Sequence, residues 1–204
     1  MKFILIRHGE CTHNIEKDEH IPTALCSLTE KGKQQSIIAA ENIKKIVDGH
    51  SKTPEVSLYY SPYERTKFLA NEITKRVKCN HIFEEPLVSE IQCGKFFSVE
   101  QYKKDFPQEY MALKNAKEAK VRFWYRYKDG ESPFDVYVRV CIFLSKLNVS
   151  ADGLTIIVSH QITLRILSLI LLNKSINYFE ESKKIANGEI IMIKKENISM
   201  DVRL

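Results

Sequence analysis

The strongest constraint on the fold of this chain is a repeated change of hydrophobic period. Short apolar runs rich in β formers alternate with longer stretches that carry an apolar stripe at helical spacing. Residues 2–7 (Lys-Phe-Ile-Leu-Ile-Arg) form the first run and stop at a polar turn, Arg7 to Cys11. From 27 to 47 the pattern turns helical, with Thr29 as a candidate N-cap and Ile37, Ala40, Ile43, Ile46 and Val47 on one stripe. Val56 to Tyr60 is a second buried strand. Ser61-Pro62 then reads as an N-cap followed by Pro at the first helical position, and Leu69, Ile73 and Val77 carry that helix to about Lys78. Residues 80–83 suggest a third strand. Ser132 caps another helix, with Val136, Val140, Phe143, Leu144 and Leu147 on its apolar face. Leu154 to Val158 is a strand, 162–172 a helix apolar nearly all round, and 189–194 and 198–202 are candidate closing strands.

Strands alternating with helices imply an α/β three-layer sandwich, with a largely parallel central sheet and helices on both faces. Residues 90–129 break the rhythm. They are rich in aromatics and cations and read as a small helical cap, inserted at about 91–129 into a single domain spanning 1–204. In open α/β sheets, ligands bind beyond the carboxyl ends of the strands. Arg7-His8, Ser61 to Arg65, and His160 all fall there by this reading.

The chemistry-bearing residues lie in four segments. In Arg7-His8-Gly9-Glu10-Cys11, an arginine fork suited to phosphate oxygens stands beside an imidazole able to attack phosphorus, and Gly9 lets the backbone turn toward an anion. Arg65 occupies the first turn of a helix, whose N-terminus favours anions. His160 follows a buried strand. Glu90, near a bound phosphate, would be pushed toward its protonated form and could serve a leaving alcohol as general acid. Taken singly, each segment reads equally well as a surface turn, a core histidine or a solvated charge.

Together, and in this order, the segments resemble the histidine phosphatase, or phosphoglycerate mutase-like, superfamily. Arg7-His8-Gly9-Glu10 looks like its nucleophile motif, with Asn14 at the expected offset. Leu28-Thr29-Glu30-Lys31-Gly32-Lys33-Gln34-Gln35 resembles its Leu-Thr-x-x-Gly-x-x-Gln helix start, Ser61-Pro62 through Arg65-Thr66 its second-arginine motif, Glu90 with Gly94 its acid motif, and Val158-Ser159-His160 its second histidine. Residues 122–127 (Arg-Phe-Trp-Tyr-Arg-Tyr), then Gly130-Glu131-Ser132, Arg139, 160–165 and Asn187, look like the plant and fungal mutase-like phosphatase branch. Three features depart from the family pattern: Gln161 stands where Gly is usual after the second histidine, Cys11 where Ser or Thr is usual, and the loop Thr23 to Ser27 lacks the acidic residue often seen before Leu28.

The resemblance implies a phosphomonoesterase with His8 as nucleophile, Glu90 as acid and base, and Arg7, Arg65 and a protonated His160 around the phosphoryl group. Asn14, Cys11, Gln161, Arg122 and Arg126 are candidate substrate contacts. No cofactor and no metal ligand cluster are expected. Glu10 is expected to brace the arginine and the turn. A mutase-type phosphotransferase remains open, as does a non-catalytic phosphate-, phosphoprotein- or nucleic-acid-binding module. The last draws on the run Lys114 to Lys128, where six cations and one acid interleave with aromatics.

Composition adds limits. With 204 residues, 44% of them hydrophobic, the chain can bury one sizeable core. The net charge of +5 suits a small phosphorylated substrate and is weak support for nucleic acid. Five scattered cysteines without a Cys-x-x-Cys pair argue against a disulfide framework or structural zinc. No apolar run is long enough to span a membrane, and the chain reads as cytoplasmic.

Overall fold

The computed structural model describes residues 2–15, 26–51, 53–95, 98–147 and 153–195. The elements run in the order β1 (Lys2–Arg7), α1 (Thr12–Ile15), α2 (Glu30–Asp48), β2 (Val56–Tyr60), α3 (Glu64–Thr74), β3 (His81–Glu84), α4 (Val99–Asp105), α5 (Pro107–Glu118), α6 (Pro133–Lys146), β4 (Leu154–Ser159), α7 (Gln161–Leu171), α8 (Asn177–Glu181) and β5 (Ile190–Lys194). The sheet has the order β3-β2-β4-β1-β5. Four strands are parallel, and β5 runs antiparallel along the outer edge of β1. The expected strand at 198–202 lies outside the described residues.

Alternation along the strands divides the core into two layers. Phe3 and Leu5 of β1 and Ile157 of β4 face α6 and α7, where Val136, Val140, Phe143, Leu164 and Leu167 meet them. Ile4 and Ile6 of β1, with Ile156 and Val158 of β4, face α2 and α3, against Ala39, Ile43, Leu69 and Ile73. Each of these buried Val, Leu, Ile and Phe side chains contributes about 1.5 to 3 kcal/mol relative to exposure. Strand β4 is buried along its whole length because it is central and covered on both faces. Helix α7 is buried on nearly every side, as its sequence requires, and even Arg165 is enclosed, bonded to Ser182 and the Phe179 carbonyl.

Of three capping expectations, two hold and one does not. Thr29 caps α2 as expected, its hydroxyl accepting from the Gly32 amide at 3.0 Å. Ser132 caps α6 in a reciprocal box with Asp135, followed by Pro133. Ser61 does not cap α3, however. The N-cap is Tyr63, the turn is closed by the Thr66 hydroxyl bonding the Ser61 and Tyr63 carbonyls, and the Ser61 hydroxyl is left for another partner. Helix α3 also ends at Thr74, short of Lys78, although Val77 still packs in the core.

Register sets the site. Arg7 lies opposite Ser159, and Tyr60 opposite Val158. The next residues, His8, Ser61 and His160, therefore leave the sheet at one edge. The His8 amide bonds the Ser159 carbonyl (3.2 Å) and the Ser61 amide the Val158 carbonyl (3.1 Å).

Candidate active site

The loop after β1 is pressed against the start of α2 so closely that two glycines are obligatory. A Cβ on Gly9 would lie 2.0 Å from the Gly32 carbonyl oxygen, and one on Gly32 would lie 1.8 Å from that of Glu10. The Gln35 side chain then accepts from the Glu10 amide at 2.7 Å. The Glu10 carboxylate pairs with Lys31 (2.9 Å) and accepts from the Thr29 hydroxyl (3.1 Å). Glu10 thus braces the helix start rather than an arginine. Asn187 closes the other side, its amide donating to the His8 carbonyl (3.1 Å) and to Asn14 Oδ1 (3.2 Å).

Arg65 is clamped between the two histidines. Its Nε donates to His8 Nε2 and its Nη2 meets His160 Nδ1, both at 3.2 Å. A guanidinium can only donate, which fixes both tautomers. His8 carries its proton on Nδ1, bonded to the Gly9 carbonyl at 2.6 Å, and keeps a lone pair on Nε2. His160 carries its proton on Nε2, bonded to the Ser61 hydroxyl at 2.7 Å. The rings lie 5.0 Å apart, and Tyr63 packs on His160.

Burial, then the charges of Arg65 and Arg7, hold His8 well below the usual histidine range. The same holds for His160, through burial and then Arg65, His8, Arg7 and Arg139. Both imidazoles are therefore neutral. In the protein alone, an enclosed ring beside two guanidiniums resists a further positive charge; the protonation expected of His160 is tied to a phosphate beside it. Burial also lowers Arg7 and Arg65 from the ordinary arginine value, without removing their charge. Arg7 donates through Nη1 to the Ile185 carbonyl (2.7 Å), and its buried Nε has no partner among the described residues.

Glu90 arrives on a loop held from three sides. The Arg139 guanidinium donates to the Leu87 and Ser89 carbonyls (2.5 and 2.8 Å), the Thr163 hydroxyl to the Ser89 carbonyl (2.6 Å), and the Ser159 hydroxyl to the Val88 carbonyl (2.6 Å). The Glu90 carboxylate accepts from the Ile162 amide in the first turn of α7 (3.2 Å) and from the Ile91 amide (3.0 Å).

A cleft of about 340 Å³ joins these groups, lined by Arg7, His8, Cys11, Asn14, Arg65, Glu90 and Gln161 together with Ile91, Cys93, Tyr127 and Ile162. His160 lies just behind it, in contact with Arg65. Cys11 and Asn14 reach the cleft, with Asn14 Oδ1 accepting from the Cys11 amide (3.1 Å) and thiol (3.3 Å). Arg122 and Arg126 do not line it. Arg126 is exposed and paired with Asp135 at 2.5 Å, and Arg122 stacks over Phe179. Local sequence could not reveal that these two point away, because the 3₁₀ turn at Arg122–Trp124 sets their direction.

Sequence reasoning passed over Ser61 as a partner of His160, Asn187 and Arg139 as braces, and Ile91, Cys93 and Tyr127 as walls. Burial, with the nearby acids Glu90 and Glu131, pushes the Cys93 thiol up to about 12, so it is no nucleophile. In the run Lys114 to Lys128, Phe123 is buried and the Tyr125 hydroxyl bonds the Glu109 carbonyl. Lys114, Arg126 and Lys128 are ion-paired. Trp124 is the ring of this run among the exposed large hydrophobics. Among the described residues, no helix is long and apolar enough to cross a membrane, and no group of three His, Cys, Asp or Glu is placed to hold a metal.

The arrangement is that of a histidine phosphatase fold, and the chain belongs to the histidine phosphatase superfamily (branch 1), whose family model matches residues 3–202. It is 30% identical to a phosphoglycerate mutase-like protein of Arabidopsis thaliana over 207 residues, covering 93% of this chain and 63% of that protein's length. It is 27% identical over 163 residues to the fructose-2,6-bisphosphatase of Saccharomyces cerevisiae, covering 79% of this chain and 32% of that protein. In fold it is similar to the alpha-ribazole phosphatase of Shigella flexneri (TM-score 0.76, 22% identity, 95% and 90% of the two chains). It is also similar to a mycobacterial glucosyl-3-phosphoglycerate phosphatase solved with VO3 (TM-score 0.71, 19% identity, 94% and 90%).

Proposed function

We propose that this chain is a phosphatase that hydrolyses small phosphate monoesters through a phosphohistidine on His8. The observation that carries the reading is the state of His8: neutral, protonated on Nδ1, with its Nε2 lone pair held by Arg65 in a cleft that also contains Glu90. A neutral imidazole nitrogen is a nucleophile, whereas an imidazolium is not.

In the proposed first step, His8 Nε2 attacks phosphorus in line and the P–O ester bond breaks. The departing oxygen takes the proton of the Glu90 carboxyl group. In the second step, water gives a proton to the Glu90 carboxylate and attacks the phosphohistidine. The P–N bond breaks, its electron pair returns to Nε2, and inorganic phosphate leaves. Arg65 and the unpartnered Nε of Arg7 bind the phosphoryl oxygens and the charge that builds on them. A dianion in the cleft opposes the influence of the arginines on His160, which lies behind Arg65, and favours its protonation. Because Asn14 Oδ1 is taken by Cys11, its Nδ2 is the group that turns to phosphate. Residues 91–129 serve as a cap, reaching the cleft through Ile91, Cys93 and Tyr127.

Mutase-type transfer shares the first step and differs in the fate of the phosphoryl group. The phosphatases among the similar folds support hydrolysis. The test is turnover of an aryl phosphate in EDTA by wild type and His8→Ala. Wild-type release of phosphate should survive the chelator. The His8→Ala variant should lose at least about 10⁴-fold in rate, with no acid-labile phosphoprotein trapped on quenching. Loss of activity in EDTA, or an active His8→Ala, would sink the mechanism. Isomerisation of phosphoglycerate without phosphate release would replace it with the mutase.

A further inference from the structure

Gln161 is the first residue of α7, directly after His160 and directly before Ile162, whose amide bonds Glu90. Its side chain lines the cleft. Its amide nitrogen and oxygen are both buried, and neither has a partner among the described residues. A buried carboxamide with neither hydrogen bond made is costly, so a side chain kept in that condition points to a ligand that completes it.

Its position tells which part of a ligand that is. The phosphoryl group belongs at His8, Arg7 and Arg65. Glu90, as the proposed acid, marks the side where the leaving group departs. Gln161 directly precedes Ile162, whose amide holds the Glu90 carboxylate, and it lines the same cleft as Ile91, Ile162 and Tyr127. Burial raises the Tyr127 phenol well above its ordinary value, so it too is uncharged. The leaving-group side therefore offers apolar surface, a neutral phenol and a carboxamide that can donate and accept at once. The cations that line the cleft among the described residues, Arg7 and Arg65, are at the phosphoryl end, so a second anion on the leaving group meets no lining cation among those residues.

We infer that Gln161 is a specificity-determining residue that reads the leaving group, and that the substrate is the monophosphate of an uncharged, largely apolar or aromatic alcohol bearing an amide, carbonyl or hydroxyl group. This rests on the phosphatase reading of the same cleft. A carboxylate- or phosphate-bearing leaving group, such as that of phosphoglycerate or a bisphosphate, is the class the site discriminates against.

Three probes of nearly equal size test it: phenyl phosphate, 4-carbamoylphenyl phosphate and 4-carboxyphenyl phosphate. Their kcat/KM values are compared on wild type and Gln161→Leu. Their Kd values are measured by calorimetry on His8→Ala, which reads the preference independently of turnover. Wild type should favour the carbamoyl ester over both others by about tenfold, the worth of one buried hydrogen bond. In Gln161→Leu the ratio of carbamoyl to phenyl ester should fall to about one. Equal or better use of the carboxylate ester by wild type overturns the inference, even if Gln161→Leu does not fold. So does a carbamoyl-to-phenyl ratio that is the same in wild type and variant. Turnover without preference defeats this inference alone. Preference in the calorimeter with undiminished turnover by His8→Ala defeats the phosphohistidine mechanism alone.

Discussion

On the proposed mechanism the cleft has a phosphoryl end and a leaving-group end, and the two are built differently. At the phosphoryl end, His8, Arg65 and His160 are nearly inaccessible (3%, 2% and 0% exposed) and cross-linked to one another, each one to five residues past a strand of the same sheet. At the leaving-group end, Glu90, Ile91, Cys93, Tyr127 and Gln161 come from a loop, the segment before α6 and the start of α7, and they are less enclosed. The contrast follows from what each end has to recognise. A phosphoryl group has one shape and one charge, so its binders can be fixed by a rigid sheet edge. A leaving group varies, and its contacts sit on connecting segments that can change without disturbing the core.

The comparison can be broken in several ways, starting with the largest effect. Glu90→Gln should lower kcat on an alkyl phosphate by about 10³-fold, and much less on 4-nitrophenyl phosphate, whose oxygen leaves without a proton. Equal losses on both esters would move Glu90 from the leaving-group end to the phosphoryl end.

Gly32→Ala strikes the phosphoryl end through its scaffold. The added methyl meets backbone at 1.8 Å, so the nucleophile loop has to shift. A loss of about 3 kcal/mol in urea unfolding is expected, with most of the activity lost. Wild-type behaviour would show the two backbones to be less tightly joined than they look.

The buried histidines make the phosphoryl end sensitive to pH. In the unfolded chain an imidazole protonates near pH 6.5, while in the native protein His8 and His160 are held well below that value. As pH falls below about 6.5, the unfolded chain binds more protons than the folded one and stability drops. Each histidine contributes about 1.4 kcal/mol per pH unit until its folded value is reached, and no dependence above about 6.5. Urea titrations at about pH 7, 6 and 5 measure the slope, which should be halved in His8→Ala. The acid limb of kcat/KM assigned to His8 should likewise lie well under the ordinary histidine range.

The smallest effect concerns the outside of the cap. Arg126→Ala removes an exposed pair with Asp135 and should cost less than about 1 kcal/mol, with kcat/KM changed by less than about threefold. A large rise in KM would return Arg126 to the substrate.

Much of the phosphoryl end was legible in the chain because it is written in contiguous motifs. A strand period that ends in Arg7-His8, or in Ser159-His160, places those residues at a sheet edge whatever the neighbouring strands are. The Leu-Thr-x-x-Gly-x-x-Gln stretch was recognisable, but its purpose was not. Only the contact between Gly9 and Gly32 shows why Gly32 and Gln35 are needed. Ser61 misled because a Ser-Pro pair has a strong local preference for a helix start, and a buried imidazole outbid that preference for its hydroxyl.

The sequence by itself determined the α/β class, the two-sided core and the residues that gather at one sheet edge, because hydrophobic period and short motifs are local properties. Tertiary structure decided the strand order, with the late strand β4 inserted between β1 and β2, since pairing depends on partners far apart in the chain. It decided the tautomers and neutrality of both histidines, because these follow from burial and from a shared arginine. It also decided which residues of the segment before α6 face the cleft: Tyr127 does, while Arg122 and the adjacent Arg126 do not. In an irregular segment, direction is set by the packing of the turn and carries no periodic signal in the sequence.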